Sequence, residues 1–272
     1  MQSIASIDDA NKLFQQFLAR AYNVVYNATV NVELPNWQVR EALVLAYQAT
    51  ILEITQGIQT LLDAKNGRSA FILLRSALEA YIDLKGTLEV KGYPDRRELD
   101  FIKDRLRVLN EAKAGHNFAL GGLMTTAEAD ISDQERRAHE LKSRGATTTK
   151  IKDRFALAGE ADMYSSVYNR LCAASHNDPG EIAWRHLHQD EAGVPSLVMF
   201  REANPIELLL LLDTLSGIVV QSAICVQSLP DIKNDGASID QLGGELTKIR
   251  KQVAALLKSL PSNDADDPAK DL

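Results

Sequence analysis

Apolar positions recur at the spacing of one helix face almost from the start of the chain. Phe14, Phe17, Leu18, Tyr22 and Val25 follow that spacing and predict a helix from about Ile7 to Thr29, with Ser6 or Asp8 as N-cap. Pro35 breaks the pattern. A second helix is expected over about Gln38 to Ala64, apolar on more than one face and therefore central. Asn66 and Gly67 form a stop signal. A third helix then runs from Ser69 to about Val90 and ends before Pro94. The stretch from Tyr93 to Ala114 reads as a fourth helix with charges gathered on one face. The very polar run Ser132–Gly145 reads as a helix that projects from the body. Glu160 to His176 reads as a further helix, closed by the turn signal at Asn177, Asp178, Pro179 and Gly180.

Beyond that turn the pattern weakens. Trp184, Leu187, Val198 and Phe200 are flanked by turn residues around Gly193 and Pro195, which predicts a small β-hairpin or irregular insertion near 181–201. A strongly apolar helix starts at Pro205. A linker around Leu229–Ser238 and a last amphipathic helix follow. The fold class expected is all-α: a multi-helix bundle in a single domain over 1–260, with an acidic, disordered tail over 261–272.

Composition agrees with that reading. The chain has 272 residues and is 45% hydrophobic but only 6% aromatic, with Leu and Ala leading the apolar set. Strands favour aromatic and β-branched residues, so helices are favoured here. The run Ile206–Val226 approaches the length of a membrane span, but it contains Glu207, Asp213 and Gln221. An ionised Asp near mid-span costs about 2.5–3.5 kcal/mol on insertion scales. A central buried helix is therefore expected, and no membrane partner.

The formal net charge is −7. Such a chain lacks the broad basic footprint of a stable nucleic-acid binder, though an RNase can meet its substrate through a local patch. Cys172 and Cys225 lie far apart in apolar helical contexts. They read as buried free thiols in a reducing compartment. The first residues lack a basic region followed by an apolar core, so no signal peptide is expected and the localisation expected is cytoplasmic.

Two places could carry chemistry. Arg75 sits inside an apolar run and Glu79 lies one turn on, about 40° away around the helix. A buried Arg needs a partner, and Glu79 is the candidate. Their pairing is either a structural ion pair or part of a polar pocket. The second place is Arg170 with His176. A His can move a proton to or from a ribose hydroxyl or leaving oxygen, and an Arg can stabilise a phosphate. Pairs at this spacing arise by chance in a chain with this many Arg residues. On an ideal helix the two side chains would also stand about 120° apart. They converge if the helix ends near Ala174 or if a second chain supplies one of them. Pro179 disfavours helix at Asp178 and so permits the first option. The alternative is a His placed at the negative end of a helix dipole. His186 and His188, with Asp190 and Glu191, would share a strand face but fix no third metal ligand. No metal and no cofactor are expected.

The combination of "LLRSALEAYIDL" with "YNRLCAASHNDPG" resembles a family of helical bacterial proteins of unknown function. Its recurrent positions are Arg75, Glu79, Tyr168, Leu171, Ser175 and His176. That family is similar in outline to the HEPN superfamily of helical bundles, with the similar part at about 38–180. Many HEPN proteins are dimeric RNases of toxin–antitoxin and antiphage systems, and others are binding or scaffold modules. The resemblance implies a homodimer that acts on RNA, with an antitoxin or other operon partner unidentified. Arg170 and His176 would be catalytic. Arg75 and Glu79 would orient His176, with Tyr168, Ser175, Asn177 and Asp178 around the same pocket. The position after the motif Arg, usually polar in active members, is Leu171 here. The alternative is a non-catalytic module for a small anionic ligand or a protein partner, with Arg75, Glu79 and His176 as a structural polar network.

Overall fold

The protein is seen in a computed structural model that describes residues 4–32, 38–175, 178–189, 193–199, 202–229 and 236–260. Within the span read as one helical domain, the chain groups into two compact units. One comprises Met1–Asn36, Leu45–Tyr81 and Arg170–Leu272, and the other Trp37–Val44 and Ile82–Asn169. The expected tail over 261–272 lies outside the described residues.

In the first unit, α1 (Ile7–Val30) begins at Ser6, whose hydroxyl accepts the Asp9 amide at 3.1 Å. Its buried face is Ala10, Phe14, Phe17, Leu18, Ala21 and Val25. That stripe packs against α10 (Pro205–Gln227) and α11 (Gly236–Ser259). The apolar run that could be mistaken for a membrane span is α10. It is long and apolar enough to cross a membrane, and 67% of its most apolar stretch is buried inside the protein. Its charged Asp213 has a partner, accepting from Arg250 of α11 at 2.6 Å. Gly217 makes room for that arginine, since a Cβ there would stand 2.7 Å from the Arg250 guanidinium.

Two helices run through both units: α2 (Val39–Asp63) and α3 (Gly67–Glu89). Later elements of the first unit are α8 (Asn169–Ser175), which begins one residue earlier, and α9 (Pro179–His186). A minimal antiparallel hairpin follows: β1 (Leu187–Gln189) and β2 (Pro195–Leu197), with Leu187 opposite Leu197. The insertion expected near 181–201 is therefore a helix first and a hairpin second. Pro179 at the first turn and Asp178 as N-cap start that helix. His186 consequently ends a helix rather than sharing a strand face with His188. Its Nδ1 lies 3.1 Å from the Val198 carbonyl.

The second unit holds α4 (Tyr93–Ala114), a 3₁₀ segment (Phe118–Leu123), α5 (Ala127–Ser143), α6 (Ile151–Leu157) and the short α7 (Ala161–Met163). A π-helical segment, Tyr164–Tyr168, follows α7. Helix α5 does not project as its polarity suggested. A narrow seam of Ala138 and Leu141 packs on Leu99 and Ile102 of α4. Arg137 forks onto Glu98 at 2.6 and 2.8 Å along the rim. The unit also encloses an ionic centre that the sequence did not announce. Asp83 is 5% exposed and accepts from the Tyr93 hydroxyl (2.7 Å), Arg97 Nε (3.1 Å) and Arg154 Nη1 (2.9 and 3.0 Å).

Candidate functional site

Helix α3 carries the first motif. Arg75 and Glu79 are one turn apart, and Arg75 Nε donates to Glu79 Oε1 at 3.1 Å. Both are partly shielded, with side chains 23% and 31% exposed. The same guanidinium reaches the second motif: Arg75 Nη1 donates to the Ser175 hydroxyl at 2.7 Å. Ser175 in turn donates to the Cys172 carbonyl at 3.0 Å, in the last turn of α8. Arg75 therefore ties together two segments a hundred residues apart and fixes the end of the helix that precedes His176. His176 and Asn177 themselves lie outside the described residues.

The remaining expected residues fall in different settings. Arg170 stands exposed at the start of α8, and among the described residues it makes no hydrogen bond or ion pair. Asp178 is exposed and caps α9, accepting the Gly180 amide at 3.0 Å. Tyr168 is buried in the second unit, where its ring lies 4.9 Å from Phe155 and stacks on Tyr164 at 5.5 Å. Cys172 and Cys225 form no disulfide and are half-buried rather than fully buried.

The sequence did not point to a neighbouring pair. Arg68 lies seven residues before Arg75, so both project from one face of α3 about two turns apart. Arg68 Nη2 meets Glu207 Oε2 at 3.0 Å, with side chains only 11% and 14% exposed. Glu207 is also half of a capping box. Its carboxylate accepts the Asn204 amide at 3.0 Å, and Asn204 accepts the Glu207 amide at 2.9 Å. Burial pushes the Glu207 carboxyl up from its ordinary pKa, with a further push from Glu181; the charges of Arg68 and Arg170 oppose it. Arg170 and Glu181 thus belong to the electrostatic surroundings of Glu207. The Asn-x-x-Glu spacing ahead of an apolar run is the signal that could have singled Glu207 out.

These features fall within a pattern shared with other proteins. The chain belongs to a family of unknown function (DUF5677). The match covers residues 41–194, and so takes in Arg75, Glu79, Arg170, Ser175 and Glu181 but not Glu207. No curated protein and no solved structure matches the chain.

Proposed function

We propose that the protein is a metal-independent endoribonuclease of the HEPN type. The Arg75–Ser175 hydrogen bond carries this reading, because it joins the LRxxxE motif to the residue that precedes His176. In the proposed reaction, Arg170 stabilises charge on the scissile phosphate and His176 transfers the proton. The exposure of Arg170 and its lack of a bonded partner among the described residues suit a group that waits for an anion. Arg75 and Glu79 act as positioning residues, holding the end of α8 from which His176 follows. A homodimer, a cytoplasmic location and a place in bacterial defence or stress response accompany this reading.

A second reading is favoured by the charge of the chain, −7 overall, which opposes a polyanion such as RNA. That suits a non-catalytic module for a small anionic ligand or a protein partner, with Arg75, Glu79 and Ser175 as a structural network. Incubation of labelled RNA with wild type, His176→Ala and Arg170→Ala, each checked for folding, separates the two. Under the RNase reading, wild type cleaves and both variants lose activity by about 100-fold or more. Cleavage that persists in His176→Ala removes His176 from the mechanism. Absence of cleavage by wild type, with intact anion binding, favours the second reading.

A further inference from the structure

We propose that a cavity between α1, α2, α10 and α11 binds a small uncharged molecule with a carboxamide head, recognised by Gln48. This site shares no residue with the proposed RNase centre and stands independently of it. Gln48 lies on the buried face of α2 with Ile51, Thr55 and Ile58, and all four are fully buried. The Thr55 hydroxyl is satisfied within its own helix, donating to the Ile51 carbonyl at 2.7 Å. Gln48 is not satisfied: neither Nε2 nor Oε1 has a hydrogen-bond partner among the described residues. A primary amide carries two donors and an acceptor, and buried side chains of this kind are in the large majority bonded.

The same side chain lines a cavity whose other walls are apolar: Val25 and Ala28 of α1, Ala223 and Val226 of α10, and Ile239 of α11. Thr29 also lines it, but its hydroxyl proton already goes to the Val25 carbonyl at 2.7 Å, which leaves the oxygen as an acceptor. Among the described residues, no ionisable side chain lines the cavity. Its inner part leaves about 10 Å³ for the centre of a water-sized group, and the whole void, out to its open side, is about 190 Å³. Ala28 and Thr29 are only half-buried and mark that open side, whereas Val25, Gln48, Ala223, Val226 and Ile239 are buried.

Size and chemistry together select the ligand. A single water fits the inner part, but it has few polar partners there and fills little of the void. An ion would leave water for walls that offer no opposite charge. A carboxamide answers both orphaned atoms of Gln48 at once: its N–H donates to Oε1, and its carbonyl accepts from Nε2. The inner part admits a small head group, and an apolar body of a few carbons lies along the aliphatic walls toward Ala28 and Thr29.

Isobutyramide is the probe, titrated into full-length protein labelled with nitrogen-15. The side-chain amide resonances of Gln48, identified by their loss in Gln48→Leu, should shift saturably. Gln48→Leu removes both hydrogen-bonding atoms and should weaken binding about tenfold or more, read by ligand-observed titration. Ala223→Val narrows the cavity while leaving Gln48 in place, and should weaken binding as well. A thermal melt checks the folding of each variant, and Ala223→Val carries the test if Gln48→Leu fails to fold. Isobutyrate has the same shape but is ionised at neutral pH, and should bind at least about tenfold more weakly than isobutyramide. Gln48 resonances that do not respond to isobutyramide would mean that water alone occupies the cavity, and would overturn the proposal. Equal isobutyramide affinity in wild type and the folded variants also overturns it. Isobutyrate binding as tightly as isobutyramide overturns the uncharged class of ligand.

Discussion

Gly86 shows how much one missing side chain can decide. A Cβ at that position would lie 2.5 Å from the ring of Tyr93, which is fully buried. The ring cannot retreat without breaking its 2.7 Å hydrogen bond to Asp83. Gly86→Ala should therefore destabilise the protein by about 1–3 kcal/mol even though Ala is the better helix former. Chemical denaturation measures this, and a stabilised variant would contradict it. Asp83 is the more sensitive neighbour, because its removal takes away the buried carboxylate that Arg154, Arg97 and Tyr93 all donate to. Asp83→Ala should cost about 3–5 kcal/mol by the same measurement.

Tyr93 makes a pH prediction at the same scale. Burial and the adjacent Asp83 carboxylate raise its pKa far above the ordinary tyrosine value, against the pull of Arg154 and Arg97. The folded state thus keeps the phenolic proton where the unfolded chain releases it. The stabilisation is complete below the unfolded pKa, about 10, and is lost as pH rises from there toward the folded value. Wild-type stability should fall more steeply above pH ~10 than that of Tyr93→Phe. Parallel profiles of the two proteins, measured as unfolding free energy against pH, would refute this.

At the scale of elements, the ends of helices make the clearest test. Helix α10 is buried along most of its length in the first unit, and its start is closed by Asn204 and Glu207. Asn204→Ala removes the side-chain acceptor for the Glu207 amide and should cost about 0.5–2 kcal/mol. The expected signature is a lower urea midpoint at an unchanged m-value; a changed m-value would mean that more than the cap was lost. Much of this level was legible in the sequence. The spacing of Phe14, Phe17, Leu18 and Val25, the stop at Asn66 and Gly67, and the Pro205 start all rest on local stereochemistry, which a sequence states directly. Helix α5 was misread because only Ala138 and Leu141 mark its buried seam, and its docking also relies on the Arg137–Glu98 fork. Helix α9 was missed because its eight residues are too few for a period to emerge, so its start at Asp178 and Pro179 read only as an ending. The Arg75–Glu79 pair was legible, being one turn apart. Its bond to Ser175, the Arg68–Glu207 pair and the Asp83 centre were not, because each joins distant segments that only tertiary folding brings together.

At the scale of the whole molecule, the balance of charge shapes how the proposed site would meet RNA. The chain carries −7 overall, and the site offers Arg170 as its exposed cation without a bonded partner among the described residues. Arg68 and Arg75 each sit against a carboxylate. A protein that neutralises a single phosphate of a single strand releases few counterions, so log K should fall against log salt with a slope of about −0.7. The negative net charge also repels a polyanion at long range, and salt screens that repulsion. Association should therefore be no faster at low salt, unlike the steered encounters of basic proteins. Binding of a 2′-O-methyl RNA oligonucleotide over a salt series, with on-rates by stopped flow, reads both quantities. A slope steeper than about −3, or on-rates that climb as salt is removed, would place RNA on a broad basic surface rather than at Arg170. A shallow slope that disappears in Arg170→Gln would tie the electrostatic share of binding to this one residue.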